Sequence, residues 1–169
     1  MDGTFTITAA ARPAALGRVL DRFGAFAGAH GIRPDVRRDV YLALDEIVSN
    51  VVHHGCAGRA GCRVTVNMRL EEGRLVVEVI DDGRPFNPLT ARKPRVEAAL
   101  EDRPIGGLGV YLTRRLMDRL SYRRRGGRNH LVFERAFTRA RAGSQAAPPA
   151  TAGPGPGRPP KPRTGRRRA

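Results

Sequence analysis

Apolar residues recur along the chain in two rhythms, one of two residues and one close to 3.6, and the changes of rhythm mark the elements. "TFTIT", Thr4 to Thr8, alternates β-formers and predicts a first strand. From Pro13 to His30, Leu16, Val19, Leu20, Phe23, Phe26 and Ala27 return at helical spacing. Pro13 suits a first helical position and Gly31 a stop. A second helix is predicted from Pro34 to His54, with Val36, Val40, Ala43, Leu44, Ile47, Val48 and Val51 as its apolar stripe and Gly55 as its end.

Alternation resumes in "CRVTVNMRL", where Val64, Val66, Met68 and Leu70 face one way. "EEGR" reads as a turn and "LVVEVI" as the returning strand of a hairpin. From Asp82 to Gly106 periodicity fades. So long a connection in a compact domain is usually functional, and Val96 to Leu100 predicts one helical turn within it. "GGLGVYLTRRLMDRL" starts on glycines and becomes helical, with Val110, Leu112, Leu116, Met117 and Leu120 inward. "SYRRR", a "GGR" turn and "NHLVFERAF" predict a closing hairpin. The expected architecture is a two-layer α/β sandwich, with a mixed, mostly antiparallel sheet and helices on one face.

Composition adds a boundary. The chain has 169 residues, 40% of them hydrophobic, and a formal net charge of +15. Eight cations and no acid lie from Thr138 to Ala169, which leaves +7 before Thr138. The segment "AGSQAAPPATAGPGPGRPPKPRTGRRRA" has almost no large apolar side chains to offset its ordering entropy. We therefore expect a folded domain over 1–139 and a disordered basic tail over 140–169. The tail reads first as a solvated arginine-rich end, with weak, salt-sensitive nucleic-acid contact as the alternative. No run of about 18 apolar residues suggests a membrane span. The N-terminus does not read as a signal peptide, so a cytoplasmic protein without membrane contact is expected. Cys56 and Cys62 follow His53 and His54 in the order H-H-x-C-x5-C, which matches no common zinc pattern. Two reduced thiols at a helix-to-strand junction are expected.

Three short motifs carry the chemistry. Glu46, Asn50 and His54 stand four apart, on one helical stripe. "IDDGRPFNP" runs from Ile80 to Pro88, and "GGLGVYL" from Gly106 to Leu112. Alone, each describes a polar helix face, a turn, or a glycine-rich helix start. Chemistry with ATP would use all three. One amide oxygen, Asn50, with phosphates and waters suffices for Mg2+. A carboxylate one turn away, Glu46, can take a proton from an attacking hydroxyl. Asp81 can accept from the exocyclic amine of adenine, with Gly83 allowing close approach. Gly107 and Gly109 can present backbone N–H groups to phosphate at a helix start. The long connection would then be a lid. No Walker A motif and no dinucleotide fingerprint is present.

In this order the motifs resemble those of the small GHKL-type ATP-binding kinases that act as anti-sigma factors in bacterial partner-switching systems. "DEIVSNVVHHG" resembles their N box, "DDGRPFNP" their G1 box with its Pro-Phe-x-Pro ending, and "GGLGVYLTRRLMDRLSY" their G2 box and following helix. The resemblance spans Thr4 to Phe137, about four-fifths of the chain. It implies a Bergerat-type sandwich. It further implies Glu46 as general base, Asn50 as the Mg2+ ligand and His54 as a phosphate-side residue. Asp81 and Gly83 would read adenine; Gly107, Leu108 and Gly109 would flank the phosphates, and Arg103 would lie in the lid near the terminal phosphate. The implied activity is serine/threonine phosphorylation of a STAS-type anti-anti-sigma protein, alternating with sequestration of a sigma factor, in a family that often dimerises. The alternative is a catalytically silent ATP- or ADP-binding module that sequesters a partner. Two departures stand out. Gly127-Arg128-Asn129 replaces the final glycine-threonine element of many relatives, and the basic tail lies outside the family pattern. The dimerisation helices and phosphoacceptor region of a sensor histidine kinase are not seen, so that relative is not expected.

Overall fold

A computed structural model describes residues 3–90 and 108–137. The chain runs β1 (Thr4–Ala10), α1 (Pro13–Ala29), α2 (Pro34–Asn50), a π turn (Val51–Gly55), β2 (Arg63–Glu71), β3 (Arg74–Asp81), a short 3-10 turn (Pro88–Thr90), α3 (Leu108–Leu116), β4 (Arg119–Arg125) and β5 (Arg128–Ala136). The predicted turn at Val96 to Leu100 and the basic tail lie outside the described residues.

Five strands form one sheet in the order β1-β2-β3-β5-β4. Every described pairing is antiparallel, which corrects the mixed sheet expected from sequence. Two helices between β1 and β2 bring the chain back beside β1 in the opposite sense. β3 and β4 run the same way, but β5 inserts between them and pairs antiparallel with both. No parallel neighbours result.

One sheet face supplies Val64, Val66 and Met68 of β2, Leu75, Val77 and Val79 of β3, and Leu131 and Phe133 of β5. These alternate residues pack with Val19, Phe23 and Ala27 of α1 and Val40, Leu44 and Val48 of α2 in one buried cluster. Burying such side chains is the main favourable term in folding, at about 1.5–3 kcal/mol for each large one. The period-2 and period-3.6 stripes read from sequence thus meet in a single core, except that Leu112 of α3, expected to face inward, is exposed. The opposite face, apart from Val76, Ile80 and Val132, is mainly polar and bonded across strands. Thr6 Oγ1 donates to Asn67 Oδ1 at 3.0 Å, Asn67 Nδ2 donates to Glu78 Oε2 at 3.2 Å, and Glu78 Oε1 meets His130 Nδ1 at 3.0 Å and Arg123 Nη2 at 3.2 Å. Partial burial opposes the Glu78 charge, but these hydrogen bonds and the His130 and Arg123 charges outweigh it and hold the carboxyl below its ordinary value.

Three local expectations are corrected. The second helix is α-helical only to Asn50; Val51–Gly55 widens into a π turn, closed by Cys56 N–H donating to Val51 O at 2.7 Å. The helix expected through Leu120 stops at Leu116, so Met117 follows it and Leu120 belongs to β4. Strand pairing with β5, Leu120 opposite Phe133, overrides the helical spacing there. Finally, Cys56 and Cys62 are not reduced thiols but form a disulfide, with Cα atoms 5.7 Å apart. The loop between them turns back on Gly58 and Gly61, both at positive φ (70° and 73°), and so brings its ends into bonding range. Among the described residues, no helix is long and apolar enough to cross a membrane.

Candidate nucleotide site

The end of α2, the π turn, the end of β3 and the loop after it, and the inner face of β4 and β5 enclose a cavity of about 400 Å³. Asn50, His54, Gly55, Asp81, Arg84 and Asn129 are its polar or backbone lining. Ile47, Val51, Val79, Pro85, Phe86, Pro88, Val110, Tyr122 and Leu131 supply the rest. A largely apolar slot with a few convergent polar groups is the form small-ligand sites take, and the size falls in their range. Phe86 is about half exposed at 52%, an aromatic ring left at the surface of an otherwise apolar wall.

The expected residues converge here from distant parts of the chain. Asn50 and His54 come from α2 and the π turn, and Asp81 from the last position of β3. The π turn breaks the strict four-residue stripe after Asn50, yet His54 still lines the cavity. Glu46 is not among the lining residues. It sits one turn back, where Asn50 Nδ2 donates to Glu46 Oε1 at 2.8 Å. That bond occupies the amide nitrogen of Asn50 and leaves its oxygen available. An uncharged oxygen donor beside a cavity suits Mg2+, which keeps waters and takes few protein ligands.

Two glycines are required by contact. A β-carbon at Gly83 would lie 2.7 Å from both Asp81 Oδ1 and the Gly55 carbonyl oxygen, and the Gly83 N–H donates to Asp81 Oδ1 at 2.9 Å. A β-carbon at Gly109 would collide with the Glu46 carboxyl group, so α3 approaches α2 only because position 109 has no side chain. Gly109→Ala is expected to destabilise the fold by about 1–3 kcal/mol, the usual effect of overpacking, and to displace Glu46. Urea denaturation checks the first effect; an unchanged midpoint would show that α3 does not need this close approach. Leu108 begins α3, while Arg103 and Gly107 lie outside the described residues.

Asp81 is buried, and burial pushes its carboxyl above the ordinary aspartate value. Hydrogen bonds from Asn129 and the Gly83 N–H work against this, as does the Arg124 charge, while the Asp82 charge adds to it. Asn129 is the residue that sequence reasoning missed. It pairs with Asp81 across β3 and β5 and is itself buried. Its Nδ2 donates to Asp81 Oδ1 at 2.8 Å and to the Arg84 carbonyl oxygen at 2.9 Å. Its Oδ1 accepts from Tyr122 Oη at 2.9 Å and Arg124 Nη1 at 2.7 Å. Every polar atom of the amide is thus satisfied, and Asp81 Oδ1 is held from two sides. The departure at Gly127-Arg128-Asn129 therefore places a bracing amide against the carboxylate. The available signal was a polar residue at an inward position of a strand otherwise facing the core with Leu131 and Phe133.

Known proteins resemble this chain over most of its described length. The histidine kinase-like ATPase domain family matches residues 9–135. The chain is 30% identical over 124 residues to the serine-protein kinase RsbW of Listeria innocua, covering 70% of this chain and 78% of that one. It is 31% identical over 98 residues to the serine/threonine-protein kinase BtrW of Bordetella bronchiseptica, covering 58% and 69%. Among solved structures, the RsbU and RsbW domains of Rv1364c from Mycobacterium tuberculosis share the fold, with a TM-score of 0.60 at 19% identity. That match covers 81% of this chain and spans only 33% of the larger protein. The chain therefore belongs to the histidine kinase-like ATPase family and, within it, to the branch of anti-sigma serine-protein kinases.

Proposed function

We propose that this protein transfers the γ-phosphoryl group of Mg-ATP to a serine or threonine hydroxyl of a STAS-type anti-anti-sigma protein, and that it sequesters a sigma factor when the antagonist is phosphorylated. The observation that supports this most directly is a single cavity lined by Asn50, His54 and Asp81, with Glu46 hydrogen-bonded to Asn50 at its edge.

Asp81 accepts from the exocyclic amine of adenine, and Asn129 and Gly83 keep its Oδ1 occupied so that the second oxygen is free for the base. Val79, Val110 and Leu131 cover the ring. Asn50 offers its amide oxygen to Mg2+, and His54 lies on the phosphate side. Bound Mg2+ neutralises charge on the phosphates as it builds up in the transition state. Glu46 accepts the proton of the attacking hydroxyl; the oxygen–γ-phosphorus bond forms as the bond to the β-phosphate oxygen breaks, and ADP is left. Leu108 and Gly109 at the start of α3, with Gly107 and Arg103 before them in the sequence, are proposed to flank the phosphates. A cytoplasmic setting fits an exchange between a sigma factor and its antagonist.

Titration of the purified chain with ATP, with and without Mg2+, tests the site. Asp81→Asn replaces one acceptor oxygen with a donor facing the base. It is expected to weaken binding by about 10- to 100-fold, the worth of a hydrogen bond to a charged group. Asn50→Ala is expected to remove the part of the affinity that depends on Mg2+. No binding by the wild-type chain would overturn the proposal. Binding without transfer to a cognate antagonist would instead identify a silent regulatory module.

A further inference from the structure

The Cys56–Cys62 disulfide lies beside the cavity, and phosphoryl transfer makes no use of it. Cys56 follows directly on Gly55, a lining residue. The Cys56 N–H closes the π turn that carries His54, and the Gly55 carbonyl accepts from the N–H of Arg84, another lining residue, at 2.9 Å. The other cysteine is fixed to the sheet. The Cys62 carbonyl accepts from the Ala11 N–H at 2.9 Å, and the adjoining Arg63 N–H donates to Asp82 Oδ1 at 2.8 Å. One sulfur is therefore anchored to the cavity wall and its partner to the start of β2 within the sheet, and the bond ties the two together.

Both cysteines are buried, but all five residues between them are exposed. A reductant can reach the pair if this loop swings outward, and the loop carries no core side chain that would resist. The Asp82 carboxylate lies within 4.8 Å of both sulfurs. A negative charge there opposes the thiolate and favours the bonded form. Outside oxidising compartments, disulfides are mostly transient or sensing.

We infer that Cys56–Cys62 is a reversible thiol–disulfide site for dithiol reductants and that opening it weakens nucleotide binding, the second clause resting on the ATP reading above. A reductant thiolate attacks one sulfur, breaks the Cys56–Cys62 bond and forms a mixed disulfide. The second reductant thiol then displaces the cysteine. Two electrons and two protons end on Cys56 and Cys62, and the reductant leaves as its own disulfide. Once open, the pair no longer ties the π turn to the sheet. His54 and Gly55 lose part of their fixed placement, and the ordering must then be supplied on binding.

The test uses the full chain, oxidised and then treated with dithiothreitol. Alkylation and mass measurement count the thiols, and calorimetry gives the affinity for Mg-ATP. Two thiols are expected to appear in the folded protein and to re-form the bond on removal of reductant. Affinity is expected to fall by at least about fivefold, the lower range of coupling between distinct sites. The double variant Cys56→Ser/Cys62→Ser should match the reduced form and ignore dithiothreitol. Equal affinity in both forms overturns the coupling. A bond that resists reduction in the folded chain, or a reduced chain that takes up zinc on Cys56, Cys62 and Asp82 and cannot re-oxidise, overturns the switch. If neither form binds ATP, the nucleotide reading fails separately. Amide exchange at Arg84 then decides the coupling: faster exchange on reduction supports it, and unchanged exchange sinks it.

Discussion

Glu46→Gln is expected to slow phosphoryl transfer to a cognate antagonist by about 10²- to 10⁴-fold, the usual contribution of a positioned general base, while ATP binding changes little. Glutamine keeps the shape that packs against Gly109 and keeps an oxygen for the Asn50 Nδ2 hydrogen bond, which is 2.8 Å in the native chain. Only the capacity to accept a proton is lost. Glu46→Ala would remove that capacity and the packing together, so the two variants separate chemistry from scaffold. The measurement is transfer from labelled ATP at saturating nucleotide. Transfer by Glu46→Gln at the wild-type rate would remove Glu46 from the reaction. Glu46 stands outside the cavity lining, hydrogen-bonded to Asn50 at its edge. A variant that retains ATP binding but loses transfer would fit that placement.

The second large effect concerns stability. Arg135 of β5 donates through Nη2 to Asp39 Oδ2 and through Nη1 to Asp118 Oδ1, both at 2.9 Å. Asp39 is buried on α2, at 5% exposure, so this guanidinium is the main partner of a charge removed from water. It also joins three parts of the fold: α2, the segment between α3 and β4, and β5. Arg135→Met is expected to destabilise the protein by about 3 kcal/mol, the lower end for breaking a buried pair. The lower end applies because Arg38 Nη2 still lies 3.4 Å from Asp39 Oδ1, from a largely exposed position. Urea denaturation gives the value. Adding Asp39→Leu to Arg135→Met removes the uncompensated charge and should recover much of the loss. A single variant as stable as the wild type would mean that water or Arg38 serves Asp39 equally well.

Much of this architecture is legible in the chain itself. Among the described residues, five strands and three helices fall largely where the two periodicities place them, because a residue's burial on a helix or strand is a local property, repeated along that element. The same holds for the motifs. Glu46 and Asn50 are neighbours because they are one helical turn apart, and the Gly83 N–H reaches Asp81 because the two are two residues apart. Where local rules fail, a distant partner has overridden them. The stretch after Leu116 has helical spacing but pairs with β5 as a strand. The all-antiparallel sheet depends on β5 entering between β3 and β4, which no single segment encodes.

The sequence by itself determined the layers, the order of the motifs and the family to which they belong, since each is written in short-range spacing. Only the tertiary structure decided that Asn129 braces Asp81 from 48 residues away, that Arg135 neutralises Asp39 from 96 residues away, and that Cys56 and Cys62 meet. It also decided that α2 opens into a π turn where the cavity begins. The physical reason is common to the three side-chain pairings. A polar or reactive side chain has several acceptable partners in the abstract, and packing of the sheet against the helices selects which one lies within bonding distance once water has been excluded.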